Sequence, residues 1–386
     1  MTNYQIAIFS NGADDLASTL RNTITTKLEE LGVERSLVSF LDDKSAVSRD
    51  PKAPTVGAFL SIVENPTSRS AVVDLLRNGV MVVPVVKDLS HFNSFVFEEL
   101  RGINGMTLRS DDPNLERVAA VLLEGLSLLR RSRRLFISYR RTDTQGVAIQ
   151  LYEALDHHGF DVFLDTISIR PGEPFQDVLW HRLADTDVIV LLDSPGFLGS
   201  RWTTEELARA NSTNIQVLQL IWPGNKLEAT AAFSRAVPLE AGDFEKTSSG
   251  PDARLRDAVV QKVVTEAESL RARALAALHS YLVEEFCAAA SNLGLSPHVQ
   301  PRRIITVQTS SGKSVAAIPT VGVPDAVRYQ EIEDEVEKHH SEVILLYDER
   351  GIRDKWLKHL AWLDRHALRV RSVQVVQCAS WLGGLP

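Results

Sequence analysis

Length, composition and charge set the first limits on this protein. The chain has 386 residues, of which 44% are hydrophobic and 24% charged, and its formal net charge is −8. These values are typical of a folded globular protein, and the length predicts two or three domains. Broad binding of nucleic acid depends on a basic surface, so nucleic acid is not expected as a partner.

Apolar runs and cysteines indicate where the protein is located and which kinds of site it lacks. The chain contains no stretch of about 20 apolar residues, and its first ten residues lack the pattern of a secretion signal. The two cysteines, Cys287 and Cys378, are too few for a disulfide scaffold and form no metal-spaced cluster. We therefore expect a cytoplasmic protein without a membrane partner, a disulfide or a metal site.

Residues 1–130 are predicted to form an α/β domain. Leu16, Leu20, Ile24 and Leu28 follow each other at four-residue spacing and predict a helix after the first strand. Alternating strands and helices predict a mostly parallel sheet. The expected strands are residues 6–9, 37–41, 56–63 and 80–86, and the further helices are residues 69–77 and 115–129.

The alternation of strands and helices begins again in residues 131–245. The basic cluster of Arg130, Arg131, Arg133 and Arg134 lies at the start of this block. We interpret this cluster as a solvated hinge. Gly159 is expected to end the first helix of this block. The expected strands are residues 135–138, 160–164, 188–192 and 215–221. The polar residues 241–251 are interpreted as a linker.

The rest of the chain is predicted to be a helical connector, residues 252–295, and a C-terminal α/β domain of unknown role, residues 296–386. Residues 304–308 and 315–319 flank Ser310-Ser311-Gly312 and predict a hairpin. The adjacent pairs His157-His158 and His339-His340 are interpreted as surface residues, because neighbours on a helix do not face the same way.

Three segments of the second block are expected to meet at one place. They are residues 136–141 at the end of the first strand, residues 165–175 after the second, and residues 202–206 after the central strand. In an open parallel sheet, ligands bind at the carboxyl ends of the strands. The three segments therefore predict one ligand site.

These segments carry a family resemblance. Ser138-Tyr139-Arg140-Arg141, the strand that ends at Asp165, the Pro171-Gly172 loop and Trp202-x-x-x-Glu206 together resemble a TIR (Toll/interleukin-1 receptor) domain of the NAD-cleaving type. The resemblance covers residues 133–222. It implies a flavodoxin-like TIR domain built on a parallel sheet. The alternating pattern of the other residues predicts two further α/β blocks that flank it, so the expected fold class is α/β.

The resemblance also implies a role for each site residue. Glu206 would be the catalytic residue. Tyr139 and Arg140 would line the nicotinamide and ribose side of the substrate. The loop after the second strand would gate the site and join subunits. Asp165, Gly172, Phe175 and Trp202 complete the expected substrate-binding residues.

The implied activity is that of an NAD⁺ glycohydrolase or an ADP-ribosyl cyclase, with NAD⁺ as substrate and no cofactor. The family also implies activation through a TIR-mediated homo-oligomer, by a ligand or partner that the sequence does not identify, and a role as a prokaryotic immune effector against phage.

Two alternatives stay open. Thr203-x-x-Glu206 matches a capping box, so Glu206 is either catalytic or a helix cap. The domain is either an enzyme or a non-catalytic adaptor.

A short sequence pattern occurs in both of the first two blocks. Ser68-Arg69-Ser70 precedes Asp74 at the spacing at which Ser200-Arg201-Trp202 precedes Glu206. Either chance or duplication explains it. On the second explanation, residues 1–130 are a degenerate TIR-like domain without catalytic residues.

Overall fold

The strands of the described residues form three five-stranded sheets. The computed structural model describes residues 4–108, 115–164, 181–195, 215–225, 235–300, 303–309, 311–336 and 340–385. The chain divides into two compact units, Met1–Arg131 and Ser132–Pro386. The first two sheets are parallel throughout and the third is mixed, which confirms the α/β fold class.

The first unit holds one parallel sheet in the order β2-β1-β3-β4-β5. Its elements are β1 (Tyr4–Asn11), α1 (Asp14–Glu30), β2 (Val38–Leu41), β3 (Thr55–Ser61), α2 (Ser70–Arg77), β4 (Met81–Val86), α3 (Phe92–Phe95), β5 (Met106–Thr107) and α4 (Glu116–Gly125). Helix α1 buries Leu20, Ile24 and Leu28. The four-residue spacing therefore correctly predicted the face that packs on the sheet.

The second unit begins with another parallel sheet, in the order β10-β9-β8-β6-β7. Counted from β6, this is the same strand order as in the first unit. Its described elements are β6 (Arg134–Ser138), α5 (Arg141–His157), β7 (Asp161–Leu164), β8 (Val188–Asp193), β9 (Gln216–Ile221) and β10 (Arg235–Pro238). Gly159 has a φ of 81° and ends the turn after α5, as predicted.

The third sheet has the order β11-β12-β13-β14-β15 and contains the predicted hairpin as β12 and β13. Its elements are α6 (Asp257–Asn292), β11 (His298–Val299), β12 (Ile305–Gln308), β13 (Ser314–Pro319), α7 (Ala326–Glu335), β14 (Glu342–Tyr347), α8 (Asp354–His366), β15 (Val370–Gln374) and α9 (Cys378–Gly383). The surface interpretation is wrong for His340, which is buried and shares a 2.8 Å hydrogen bond between its Nδ1 and Ser314 Oγ.

Helix α6 belongs to two hydrophobic cores at once. Its first half places Val263 and Ala267 in the core of the second sheet. Its second half places Leu282 and Phe286 in the core of the third sheet. The helix has 36 residues, about 54 Å at 1.5 Å per residue. A helix with this much apolar surface on both halves is stable only when both halves are covered.

The boundary between the two units falls inside the basic cluster, after the exposed Arg131, but the second half of the cluster is not solvated. Arg133 is buried and pairs with Glu268 of α6, and its guanidinium carbon lies 4.6 Å from the centre of the Phe160 ring. Arg134 pairs with Asp185. The prediction failed for these two residues because a run of arginines does not reveal which of them pair with carboxylates across the fold.

The linker prediction for residues 241–251 is also wrong. Phe244 and Leu255 form an antiparallel bridge, and both side chains are buried in the core of the second sheet. We call residues 244–255 the strap. Gln150 of α5 binds it twice, since its Nε2 donates to Leu255 O and its Oε1 accepts from Leu255 N, each at 2.8 Å. Polar composition predicted a loop, but backbone hydrogen bonds hold this one in place.

Gly146 allows the strap to lie against α5. A Cβ at this position would meet Pro251 O at 2.3 Å and Ala253 O at 2.5 Å. In an open helix, replacement of Gly by Ala adds about 1 kcal/mol of stability. We expect Gly146→Ala to lower the free energy of unfolding by about 1–3 kcal/mol instead, because backbone atoms must move.

Urea unfolding of the full chain measures this change. Gly383→Ala in α9 is the matched control, because its Cβ would meet only Leu293 Cδ2 at 4.0 Å. An equal response of the two variants would contradict a strap held against α5.

Candidate active site at the carboxyl edge of the second sheet

The carboxyl ends of β6 and β8 lie side by side. These strands are parallel neighbours, and Ser138 is the register partner of Leu191. The chain leaves β6 through Tyr139 and enters α5 after Arg140, whose backbone is extended with φ −99° and ψ 119°. This short strand-to-helix turn places Arg140 at the edge where ligands bind in open α/β sheets.

Arg140 is held in place by Asp143. Its Nη1 donates to Asp143 Oδ2 at 3.2 Å, and its side chain remains 40% exposed. The same carboxylate oxygen accepts from Ser194 Oγ at 3.1 Å. A weaker contact of 3.5 Å joins Arg140 Nη1 to Pro195 O. Asp143 therefore connects the end of β6 to the loop after β8 and orients a cation between them.

Tyr139 faces the other way. It is 6% exposed and belongs to the core cluster that also holds Leu164 and Val190. Tyr139 and Arg140 therefore do not face the same side: the Tyr139 ring is packed in the core, and the Arg140 guanidinium is exposed. The role of Tyr139 in binding nicotinamide stays a prediction.

Ser138 carries a buried hydroxyl at this edge. The residue is fully buried, and its Oγ has no hydrogen-bond partner in the part of the chain that the structure describes. A buried polar atom without a partner costs about 1–3 kcal/mol. A catalytic role and a bound water are two explanations for such an atom, and Ser138 lies next to Tyr139 and Arg140.

A second polar network lies beside the first, at the ends of β8 and β9. Asp193 is buried and accepts from Gln219 Nε2 at 2.8 Å, while Asn225 Nδ2 donates to Asp193 O at 3.0 Å. This network fixes the turn after β9 to the central strand. Sequence reasoning missed Asp143, Asp193 and Gln219. The available signal was a polar residue inside the apolar run of β9.

Five of the seven predicted site residues lie outside the described residues: Asp165, Gly172, Phe175, Trp202 and Glu206. The structure places the exposed side chain of Arg140 at the expected edge, whereas the neighbouring Tyr139 ring packs into the core. The full constellation stays a prediction.

Neither a metal cluster nor a membrane helix occurs in the described ranges. No group of three or more His, Cys, Asp or Glu side chains there is suited to hold a metal ion. None of the described helices combines the length and apolar character that crossing a bilayer requires. Cys287 and Cys378 are unpaired, and burial raises the pKa of both thiols, so neither is an activated nucleophile.

Comparison with known proteins identifies the domain that carries this edge. A family model described as "TIR domain" matches residues 135–253. Residues 135–253 form a TIR domain. The match includes most of the strap, which agrees with its hydrogen bonds to α5.

Two curated relatives are similar to part of this chain. The probable 2′ cyclic ADP-D-ribose synthase BdTIR of Brachypodium distachyon is 35% identical over 74 residues, 19% of this chain and 33% of that protein. The 2′ cyclic ADP-D-ribose synthase BtTIR of Bacteroides thetaiotaomicron is 29% identical over 72 residues, 19% and 25% of the two chains. The chain thus spans a third or less of these relatives.

The similarity to one solved structure is weak. A protein described as a two-component system response regulator with a GGDEF domain is 13% identical and has a TM-score of 0.29, covering 69% of this chain and 99% of that one. A score this low does not show a shared fold.

Proposed function

We propose that the TIR domain cleaves NAD⁺ between nicotinamide and ribose, with Glu206 as the catalytic residue. The 35% identity to a protein named as a 2′ cyclic ADP-D-ribose synthase is the observation that carries the proposal. The exposed Arg140 at the carboxyl edge of the sheet supports it, because a cation at that edge suits a dinucleotide. Release of nicotinamide by the purified protein tests it.

The chemistry requires one well-placed negative charge. When the bond to nicotinamide breaks, its electron pair leaves with the neutral base and positive charge spreads over C1′ and the ring oxygen of the ribose. A carboxylate such as Glu206 stabilises that charge and accepts hydrogen bonds from the ribose hydroxyls. Exclusion of water strengthens the interaction.

The nucleophile determines the product. Water would give ADP-ribose, and a hydroxyl of the same ADP-ribose would close a ring and release a proton. Both curated relatives are named as synthases of a cyclic ADP-ribose, so we propose the cyclic product. Mass spectrometry separates the two products by the mass of one water. A purely linear product would contradict cyclisation but not cleavage.

Asp143 is expected to position Arg140 for this reaction. In Asp143→Asn the charged partner of the guanidinium is lost, although a hydrogen bond can remain. We expect the KM for NAD⁺ to rise about 5- to 10-fold, roughly 1–1.4 kcal/mol, and kcat to change less than about threefold. Steady-state kinetics of nicotinamide release measure both constants. Asp156→Asn, an exposed acid near the other end of α5, is the control. An unchanged KM in Asp143→Asn would exclude this role.

We also propose that self-association activates the enzyme and that it acts in defence against phage. The TIR resemblance supports both parts. Specific activity should rise with protein concentration in step with oligomer formation, followed by light scattering. Bacteria that express the wild type should yield fewer phage than bacteria that express Glu206→Ala. Full activity of a monomer would contradict activation by assembly.

Residues 1–130 are proposed to be a degenerate TIR-like domain. The supporting observation is the strand order that the first two sheets share. At the carboxyl edge of the first sheet, Arg69 donates to Ser10 O and pairs with Asp43, and Asn11 Nδ2 donates to Ser61 Oγ at 2.9 Å. These polar groups bind one another across the edge. This arrangement is typical of a structural scaffold rather than of a ligand site.

A further inference from the structure

Helix α8 presents an exposed tryptophan on the face that is turned away from the third sheet. Leu360 is buried in the core of that sheet, and Leu357 and Leu363 pack against the same core. Trp362 follows Leu360 by two residues, which is about half a turn of the helix, and 49% of its surface is exposed. Tryptophan is enriched at binding surfaces because its large ring gains much contact area when a partner covers it.

Further rings line up with Trp362 along α8. The ring centres of Trp356 and His359 are 5.4 Å apart, those of His359 and Trp362 are 6.1 Å apart, and those of Trp362 and His366 are 4.5 Å apart. The planes of His359 and Trp362 differ by only 12°. Because His359, Trp362 and His366 follow each other at three- and four-residue spacing, their rings lie in one row on the helix. We call these four rings the aromatic row.

Positive side chains flank the aromatic row. Lys355, Lys358 and Arg365 are exposed, and no carboxylate in the part of the chain that the structure describes pairs with any of them. Lys358 and Arg365 lie four residues before and three residues after Trp362, so both are its neighbours on the helix surface. Lys355 lies in the first turn, where the helix dipole favours acids, so helix stability does not explain this lysine.

The acid nearest to Trp362 does not offset these charges. Asp364 Oδ1 accepts from Tyr329 Oη at 2.8 Å, and Asp364 Oδ2 accepts from Ser372 Oγ at 2.9 Å. These partners belong to α7 and β15, so the carboxylate is bound on the packed side of α8. The exposed face around Trp362 is therefore basic, although the chain as a whole has a formal net charge of −8.

This combination of rings and cations fits one class of partner best. Proteins hold single-stranded nucleic acid by stacking its bases on aromatic side chains and by pairing its phosphates with Lys and Arg. Lys358 and Arg365 are about 10 Å apart along the helix, with Trp362 between them. An acidic protein would neutralise the cations but does not require a row of rings. A bilayer surface requires several bulky apolar side chains, of which this face of α8 offers one.

We propose that this face of α8 binds single-stranded nucleic acid. A base stacks on the aromatic row at Trp362, the adjacent phosphates bind Lys358 and Arg365, and Lys355 continues the path of the backbone. The acidic net charge argues against broad contact with nucleic acid, whereas this site is local and uses three cations. The acidic remainder of the chain repels the strand, so binding is modest and depends strongly on salt.

Fluorescence anisotropy with labelled single strands of about 12 nucleotides, as RNA and as DNA, tests the proposal on the full chain. At about 50 mM salt we expect a Kd below about 100 μM. Three cations predict a slope of about −2 for the logarithm of affinity against that of salt, so about 200 mM salt should weaken binding about 20-fold. A duplex should bind at least about fivefold more weakly, because its bases are not free to stack.

Variants separate stacking from charge. Trp362→Ala should weaken single-strand binding at least about fivefold, and Trp362→Phe should lose less because it keeps a ring. Lys358→Ala and Arg365→Ala should each weaken binding and reduce the salt slope by about 0.7. The matched controls are Tyr152→Ala, which removes an exposed ring of α5, and Lys313→Ala, which removes an exposed cation between β12 and β13. Both controls should bind like the wild type.

Three results would overturn the proposal. The first is a Kd above about 100 μM for both single strands at about 50 mM salt. The second is a loss of affinity in Trp362→Ala no larger than that in Tyr152→Ala. The third is equally tight binding of polyglutamate, which carries charge but no bases and would favour an acidic protein as the partner. None of these outcomes depends on NAD⁺ cleavage, since binding is measured without NAD⁺.

Discussion

Replacement of Glu206 by Ala or Gln is expected to reduce nicotinamide release by at least about 100- to 1,000-fold, the usual loss when a group that stabilises transition-state charge is removed. Glu206→Gln distinguishes catalysis from helix capping more clearly than Glu206→Ala does. It retains the ability to close a capping box with Thr203, because Glu and Gln both fill that position, but it removes the negative charge. Activity is measured as nicotinamide released from NAD⁺ by the purified full chain.

The controls for this experiment are Glu205→Gln and Asp74→Ala. Glu205 is the neighbouring acid, and Asp74 is the acid of the first unit that follows a Ser-Arg-x segment at the same spacing as Glu206. Both variants should release nicotinamide like the wild type. If Glu206→Gln stays fully active while the wild type cleaves NAD⁺, the catalytic assignment is wrong and helix capping explains the residue. If the wild type remains silent even when assembled, the adaptor alternative is favoured.

The largest effect on stability is expected from the buried ion pair between α6 and the turn before β8. Arg271 Nε lies 3.0 Å from Asp187 Oδ2, and the side chains are 1% and 0% exposed. Asp187 Oδ2 also accepts from the backbone N of Arg134 at 3.2 Å. Removal of one charge leaves the other uncompensated in the interior. We expect Arg271→Met to lower the free energy of unfolding by about 3–5 kcal/mol.

A double-mutant cycle measures this coupling. Asp187→Asn combined with Arg271→Met should cost clearly less than the sum of the single variants, because no unpaired charge remains. The control is the exposed pair of Arg235 with Glu266, which also joins the TIR domain to α6 at 3.0 Å. Arg235→Ala should cost at most about 1 kcal/mol. Additive losses at Asp187 and Arg271 would show that the two charges do not stabilise one another.

Local patterns in the sequence determined most of the secondary structure. The spacing of Leu20, Ile24 and Leu28 is sufficient to define α1, and the apolar run of β8 is sufficient to define a central strand. Gly159 marks the end of a helix through its own backbone freedom. The ordered segments around Tyr139-Arg140 and Glu206 led to the TIR family, which the comparison confirmed for residues 135–253.

Only the tertiary structure decided which polar residues are buried and paired. Arg133, Arg271 and His340 have charged or polar side chains that local patterns place on the surface, yet each is buried beside a partner distant in the chain. The strap has the composition of a linker and is held by Gln150 from 105 residues away. Composition and spacing indicate whether a residue tends to be exposed to water or buried. Whether burial is compensated depends on groups that only folding brings together.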